Sequence, residues 1–275
     1  MSKSVQGGGP QMLRLLNCAA VLSAIRAAGT ARVTELVHAT GLSRPTVTAA
    51  VTTLVADGWV EETEAADVDL PRMGRPARVV RFRANARHVL GLDIGPHKVS
   101  CAVADLSGTV VAHCRRDVGE PGSHAALLER VDTTMDQVLT EAAVQVSSVA
   151  AVGVGTPGIV DRRHGAVVHA PSVPGWSSLE LGSLIQQRLP CPVHVENDVN
   201  LAVLAERWHG TGREAESLLL VHWGARVGAA VLVQGRLHRG AHGAAGEIGF
   251  VDLEVEPQGV QGEGLGPLEA AMGTS

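Results

Sequence analysis

Tyrosine is absent from the 275 residues and phenylalanine occurs only twice, so aromatic side chains make up just 2% of the chain. A core built from this sequence must be aliphatic, and an apolar content of 45% is enough to supply one. Long hydrophobic runs are also missing. No stretch of about 18 uncharged apolar residues exists, and the start, Met1–Pro10, is polar and rich in glycine. That pattern excludes a membrane-spanning helix and a secretion signal, and predicts a cytoplasmic chain with a disordered tail over residues 1–10. Cysteine is sparse: Cys18, Cys101, Cys114 and Cys191 lie far apart, with no CxxC pair among them. This excludes an oxidised framework and predicts reduced thiols acting as small buried hydrophobes.

Charge is modest but unevenly placed. The net charge of −5 divides into +3 up to Asn85 and −8 over the remainder. A basic head on an acidic body points any nucleic acid to the head. The length accommodates two domains, and the texture changes near residue 86: residues 11–85 read as one unit and 86–275 as another.

In the head, Gln11–Ala28 carries Leu13, Leu16, Ala20 and Ile25 at a loose helical period and stops at Gly29. A short second helix, Val33–Ala39, stops at Thr40-Gly41. Ser43 is an N-cap candidate for a third helix, and Pro45 in its first turn removes no needed amide. Val47, Ala50, Val51 and Leu54 form one apolar face of that helix. The opposite face offers Arg44, Thr48 and Thr52, with Thr46 beside the N-terminus. Two short helices joined at a glycine, the second polar near its start, form the layout of a helix-turn-helix. A strand at Trp59-Val60 and an Arg-rich returning strand at Val79, Val80 and Phe82 add a hairpin wing. Its tip, Met73-Gly74-Arg75-Pro76, would carry Arg75 into the minor groove of A·T-rich duplex. The candidate DNA-contacting residues are therefore Ser43, Arg44, Thr46, Thr48, Thr52 and Arg75. A winged helix used for protein contacts, or a three-helix segment without a binding role, are the alternatives.

The body alternates strands and helices. Val89–Ile94 is a strand ending at the turn Asp93-Ile94-Gly95, followed by strands at Lys98–Asp105 and Val110–Arg116, a helix at Ala125–Ala143 and a buried strand at Val149–Gly155. Further on come Gly155-Thr156-Pro157-Gly158-Ile159-Val160-Asp161, Pro174-Gly175-Trp176, Glu196-Asn197-Asp198-Val199-Asn200 and Gly243-Ala244-Ala245-Gly246-Glu247-Ile248-Gly249. Five such pieces in this order, behind a winged head, resemble the ROK family of repressors and sugar kinases, whose body is an actin/hexokinase-like fold. The resemblance runs from Val89 to about Ala271. It implies an α/β chain: a winged helix-turn-helix, then a ribonuclease-H-like lobe and part of a second lobe, with a cleft between the lobes. It also implies that Asn197, Asp198, Glu247 and Glu269 face a sugar in that cleft, and that Gly158 lets backbone approach the ring. Asp198 falls where family kinases have their general base.

The departures from the family pattern bear on function. The first phosphate turn reads Asp93-Ile94-Gly95-Pro96-His97-Lys98, and Pro96 removes an amide where a glycine would wrap phosphate. The second reads Gly224-Ala225-Arg226-Val227-Gly228, where Ala225 lacks a hydroxyl and Arg226 is bulky. Phosphoryl transfer depends almost wholly on such contacts, so the two turns argue against ATP and against catalysis. The family zinc site has Phe250 in place of its histidine and Val260, Gly262 and Pro267 in place of its cysteines, so no metal and no cofactor is expected. His238 and His242 have i, i+4 spacing, but the glycines around them argue against a helix and hence against a metal pair. The family usually continues beyond the end of this sequence, as a fragment or a shortened regulator would not. The reading is a regulator, a repressor of carbohydrate-related genes, acting as a homo-oligomer on a double-stranded DNA operator and modulated by a sugar. The alternatives are a ligand-blind regulator and a sugar kinase.

Overall fold

The computed structural model of the protein describes residues 9–64, 78–118, 124–173, 175–224, 226–252 and 265–272. The chain folds into two compact units. One ends at Arg87 and takes in Asp105–Thr109; the other holds His88–Ala104 and the chain from Val110 onward.

The first unit contains α1 (Pro10–Ala28), β1 (Thr30–Arg32), α2 (Val33–Thr40), α3 (Arg44–Ala56), β2 (Val60–Glu64) and β3 (Arg78–Phe82). Pro10, expected in the tail, opens α1 instead, while residues 1–8 lie outside the described residues. Gly41, at φ 67°, turns the chain after α2 and donates its N–H to the Val37 carbonyl, a left-handed stop that side chains with a Cβ resist. Glu35 reaches back to the Arg32 N–H at 2.7 Å and caps the start of the same helix. The apolar stripe of α3 is buried throughout: Val47, Ala50, Val51 and Leu54 are at most 4% exposed and meet Val21, Ile25, Leu36, Val60 and Val80. The three strands form an antiparallel sheet in the order β1-β3-β2. β1 is not among the strands expected from the sequence, because three residues between two helices offer no alternation to read.

The second unit is built on a five-stranded sheet in the order β10-β7-β4-β5-β6. β4 (His88–Ile94), β7 (Val149–Thr156) and β10 (Val193–Asn197) run parallel; β5 (Lys98–Asp105) and β6 (Val110–Asp117) pair antiparallel. Alternation in β5 buries Val99, Cys101 and Val103 against α4 (His124–Glu141), whose Leu127, Val131, Met135 and Val138 recur at helical spacing. Cys101 and Cys114, distant in sequence, are cross-strand partners in β5–β6; all four cysteines are unpaired thiols. Burial pushes the Cys101 thiol up to about 12, so it stays protonated and packs as a small hydrophobe. A hairpin of β8 (Ile159–Asp161) and β9 (Ala166–His169) and helix α5 (Leu181–Arg188) complete this lobe. Helix α6 (Asp198–His209) leads to an antiparallel sheet of β11 (Leu218–Trp223), β12 (Val227–Val233) and β13 (Arg236–His238). Val203 of α6 packs on Ala230 and Leu232 of that sheet. A short α7 (Pro267–Met272) follows.

Trp176 anchors the first lobe. It is fully buried, and its indole N–H donates to the Thr156 hydroxyl at 2.8 Å. Trp176→Phe is expected to destabilise the protein by about 2–4 kcal/mol, from the cavity and from the lost indole bond to the Thr156 hydroxyl, which also donates to the Pro157 carbonyl at 3.5 Å. Adding Thr156→Val should recover roughly 1 kcal/mol, because both halves of the polar pair are then gone. Urea unfolding of the two variants measures the difference; an added rather than a relieved loss would show that the Thr156 bond to the Pro157 carbonyl contributes more than the lost indole pair.

Candidate functional site

Two places carry groups suited to binding, one in each unit. In the first unit, α3 starts where the Ser43 hydroxyl accepts from the Thr46 N–H and lies 2.8 Å from the Thr46 hydroxyl. Ser43 and Thr46 are thus engaged in forming the helix terminus. Burial of the Val47–Leu54 stripe turns Arg44, Thr48 and Thr52 outward together, and all three are exposed. The Thr52 hydroxyl donates to the Thr48 carbonyl at 3.0 Å, which leaves its lone pairs outward. An exposed guanidinium and two hydroxyls along about two turns of helix can meet phosphates or base edges. Beside α3, the β2–β3 hairpin carries Arg81, which forms an ion pair with Glu61 across the strands. Arg75, at the expected wing tip, lies outside the described residues.

In the second unit a cavity of about 320 Å³ lies among the ends of β4, β7, β10 and β12. Pro96, His97, Gly158, Asp198, His222 and Glu247 line it, with Asn197, Arg226, Phe250 and Glu269. The five expected ligand residues are therefore brought together, but their hydrogen bonds differ in kind. Asn197 caps α6: its Oδ1 accepts from the Asn200 N–H at 3.1 Å and its Nδ2 donates to the Gly158 carbonyl at 3.1 Å. Glu269 is 6% exposed and takes the Val227 N–H on Oε1 and the Gly266 N–H and Arg226 Nη1 on Oε2. It clamps α7 to the β11–β12 turn, and Gly249 is glycine because a Cβ there would lie 2.7 Å from the Glu269 carboxyl carbon.

Asp198 and Glu247 are the two carboxylates that the protein leaves open to the cavity. Asp198 Oδ1 accepts the Val199 N–H at 2.9 Å and the carboxylate also meets its own backbone N–H, while no hydrogen-bond donor among the described residues meets the Glu247 carboxylate. Burial raises the pKa of Asp198 above the usual carboxylate range, and the Asp93 charge adds to it. Burial likewise raises Glu247, with Glu269 and Asp198 as repelling neighbours. Acceptors held open in a desolvated cavity suit a neutral ligand rich in hydroxyl donors.

The two turns that depart from the family pattern are filled by the chain itself. The Gly95 N–H donates to the Lys98 carbonyl at 2.9 Å, and Lys98 Nζ pairs with Asp93 at 2.9 Å. In the second turn the Gly224 N–H donates to the Arg226 carbonyl, and the Arg226 guanidinium sits on Glu269 at 3.2 Å. Of the positions aligned with zinc ligands, Phe250 is 45% exposed at the cavity and Pro267 opens α7; Val260 and Gly262 lie outside the described residues. Among the described residues no three or more His, Cys, Asp or Glu side chains are placed to hold a metal ion.

Glu196 was not singled out from the sequence, although it is the most heavily bonded carboxylate of the unit. Its side chain is 9% exposed; Oε1 accepts from the Asn197 N–H and from Asn200 Nδ2, and Oε2 meets Arg239 at 2.7 Å and Arg162 at 3.3 Å. It ties β10 to the β8–β9 turn and to the chain leaving β13. Neither arginine carries a local signal, since each is far from Glu196 in sequence.

The sequence profile of the ROK family matches residues 89–264, and that of the IclR helix-turn-helix domain matches residues 15–64. The xylose repressor of Caldicellulosiruptor bescii is 24% identical over 264 residues, covering 95% of this chain and 65% of the repressor. A glucokinase of Halalkalibacterium halodurans is 29% identical over 61% of this chain and 50% of its own length. Among solved structures, a ROK family transcriptional regulator homologous to the Escherichia coli MLC protein superposes with a TM-score of 0.73 at 23% identity, over 95% of this chain and 65% of that one. The chain thus spans between half and two thirds of the length of these relatives. No described helix is long and apolar enough to cross a membrane.

Proposed function

The chain belongs to the ROK family, and from that membership and the two sites we propose that it is a transcriptional regulator that binds operator DNA through α3 and a sugar through the cavity beside Asp198. The observation that carries the reading is the outward face of α3, with Arg44, Thr48 and Thr52 exposed on a helix whose other face is wholly buried. The IclR-type helix-turn-helix match and the repressors among the relatives support it. The sugar assignment rests on Asp198 and Glu247, two acceptors open to a cavity large enough for a monosaccharide. Repression of carbohydrate-related genes from the cytoplasm is the physiological form of the proposal.

Phosphoryl transfer is not part of it, although glucokinases stand among the relatives. Pro96 lacks the amide, and Arg226, held in its own ion pair, fills the place where a kinase of this pattern would cradle phosphate. A coupled assay for ADP release across a hexose panel should stay at background; turnover dependent on Asp198 would overturn this part.

Selection of bound sequences from a random duplex pool should return a defined site. Arg44→Ala is expected to weaken binding to that site by about 1–3 kcal/mol and to relax preference at the base pair it reads. Equal loss on every sequence would assign Arg44 to phosphate contact instead.

A further inference from the structure

The two carboxylates open to the cavity come from different parts of the fold. Asp198 starts α6, directly after β10, and Glu247 closes the loop that leaves β13. Burial raises the pKa of Glu247, and repulsion by Glu269 and Asp198 adds to it, which puts the two open groups within electrostatic reach of each other. One ion pair joins their supports. On one side, Glu196 Oε1 accepts from the Asn197 N–H at 3.1 Å and from Asn200 Nδ2 at 3.0 Å, so it grips the chain on both sides of Asp198. On the other, Arg239 sets both Nε and Nη2 on Glu196 Oε2 at 2.7 Å. Arg239 is also the base of the Glu247 loop. Its carbonyl accepts the Ala245 N–H at 3.1 Å, and the Gly246 carbonyl accepts the Ala229 N–H at 2.7 Å. Gly246 has φ +97°, and a Cβ there would collide with the Ala229 carbonyl, so the loop lies hard against β12 immediately before Glu247. Neither Glu196 nor Arg239 is among the residues that line the cavity.

A buried ion pair contributes little net stability, because the cost of desolvating both charges offsets their attraction, but the arginine fork fixes a direction and a distance. We propose that Arg239 is a positioning residue for the sugar site: through Glu196 it holds Asp198 and Glu247 at the separation that the hydroxyls of a ligand must match. The inference rests on the sugar reading of the cavity and adds to it a residue that does not touch the sugar. Arg162 separates this role from simple charge balance. It reaches the same Glu196 oxygen with Nε at 3.3 Å, but it comes from the β8–β9 turn and not from the Glu247 loop. With Arg239 replaced, Arg162 still neutralises Glu196, so the carboxylate is not stranded. What is lost is the tie between the start of α6 and the Glu247 loop. Hydrogen bonds weaken steeply with misalignment, so a wall whose two acceptors drift binds sugars more weakly and tells epimers apart less well.

Isothermal titration of the full chain tests this with D-glucose, D-mannose and D-galactose and with their pentose counterparts D-xylose, D-lyxose and L-arabinose, each set differing only in the configuration at C2 or C4. Arg239→Met is expected to weaken the best-bound sugar about tenfold or more and to narrow the ratio of affinities between epimers. Arg239→Lys keeps the cation without the fork and should fall between Arg239→Met and wild type; it also serves if Arg239→Met does not fold. Arg162→Met, which removes a half-exposed partner of the same oxygen, should leave affinity and ratio within about twofold of wild type. A chain that is merely less stable would bind every sugar less well by one factor, leaving the ratio unchanged. Equal effects of Arg162→Met and Arg239→Met, or an unchanged ratio in the Arg239 variants, would overturn the positioning role and leave the sugar reading in place. A wild-type chain that binds none of the six sugars at millimolar concentration would overturn the sugar reading and the positioning role with it.

Discussion

Gly158→Ala is expected to destabilise the second unit by about 3–5 kcal/mol. Gly158 has φ +92°, a conformation that L side chains rarely adopt, and a Cβ built there would lie 2.1 Å from the His169 carbonyl oxygen and 2.9 Å from the Ala170 Cα. Both obstacles are backbone, so no rotamer change relieves them. The strand β9 would have to move, and with it the Gly158 carbonyl that accepts from Asn197. Gly108 supplies the control. Its φ is +90°, but nothing lies within 4 Å of the place a methyl group would take, so Gly108→Ala should cost only about 1–2 kcal/mol of left-handed strain. Urea midpoints for the two variants separate the steric part from the conformational part. Similar losses would mean that β9 shifts without cost.

The same glycine shows what the sequence reveals and what it conceals. Motif order led to Gly158, Asn197, Asp198, Glu247 and Glu269 as one wall, and the fold brings all five to one cavity. Which of them have bonding capacity to spare was not legible, because their partners come from elsewhere in the chain. Glu269 is held by the amides of Val227 and Gly266, and Asn197 by Gly158, 39 residues away. The α3 stripe was legible because helical period alone sets which of its faces is buried, and Ser43 because capping is local. β1 was not, since its three residues are strand only through pairing with β3. The ion pairs of Glu196 with Arg162 and Arg239 are of the same kind: long-range charge partners leave no trace in a local pattern. Residues that answer to neighbours within a few positions can be read from sequence; those satisfied across the fold cannot.

Asp198 is where spare capacity and stability oppose each other, and Asp198→Asn is expected to separate them. For the wild-type chain, a saturating sugar at about 100 times its Kd should stabilise by roughly 2.7 kcal/mol, or about 5–10 °C in melting temperature. The variant should lose that shift, because the amide offers a donor where hydroxyl protons require an acceptor, while operator binding by the separate head stays intact. Without sugar the sign reverses. Burial, with Asp93 nearby, holds the folded-state pKa of Asp198 above its ordinary value. Over the interval between the unfolded and folded values the folded chain binds more protons, so stability falls as pH rises through it. The asparagine does not titrate and avoids that loss. The variant should therefore melt higher than wild type at pH 7, and the gain should shrink as pH is lowered through the carboxylate range towards 4. Melting curves of both proteins from pH 4 to 8, with and without a hexose panel, supply every comparison. A variant less stable than wild type at pH 7 would show that the carboxylate makes a net favourable contact beyond its bonds from the Val199 N–H and its own backbone N–H. A stabilising sugar that still shifts the variant would move the site away from Asp198, towards Glu247 of the same cavity.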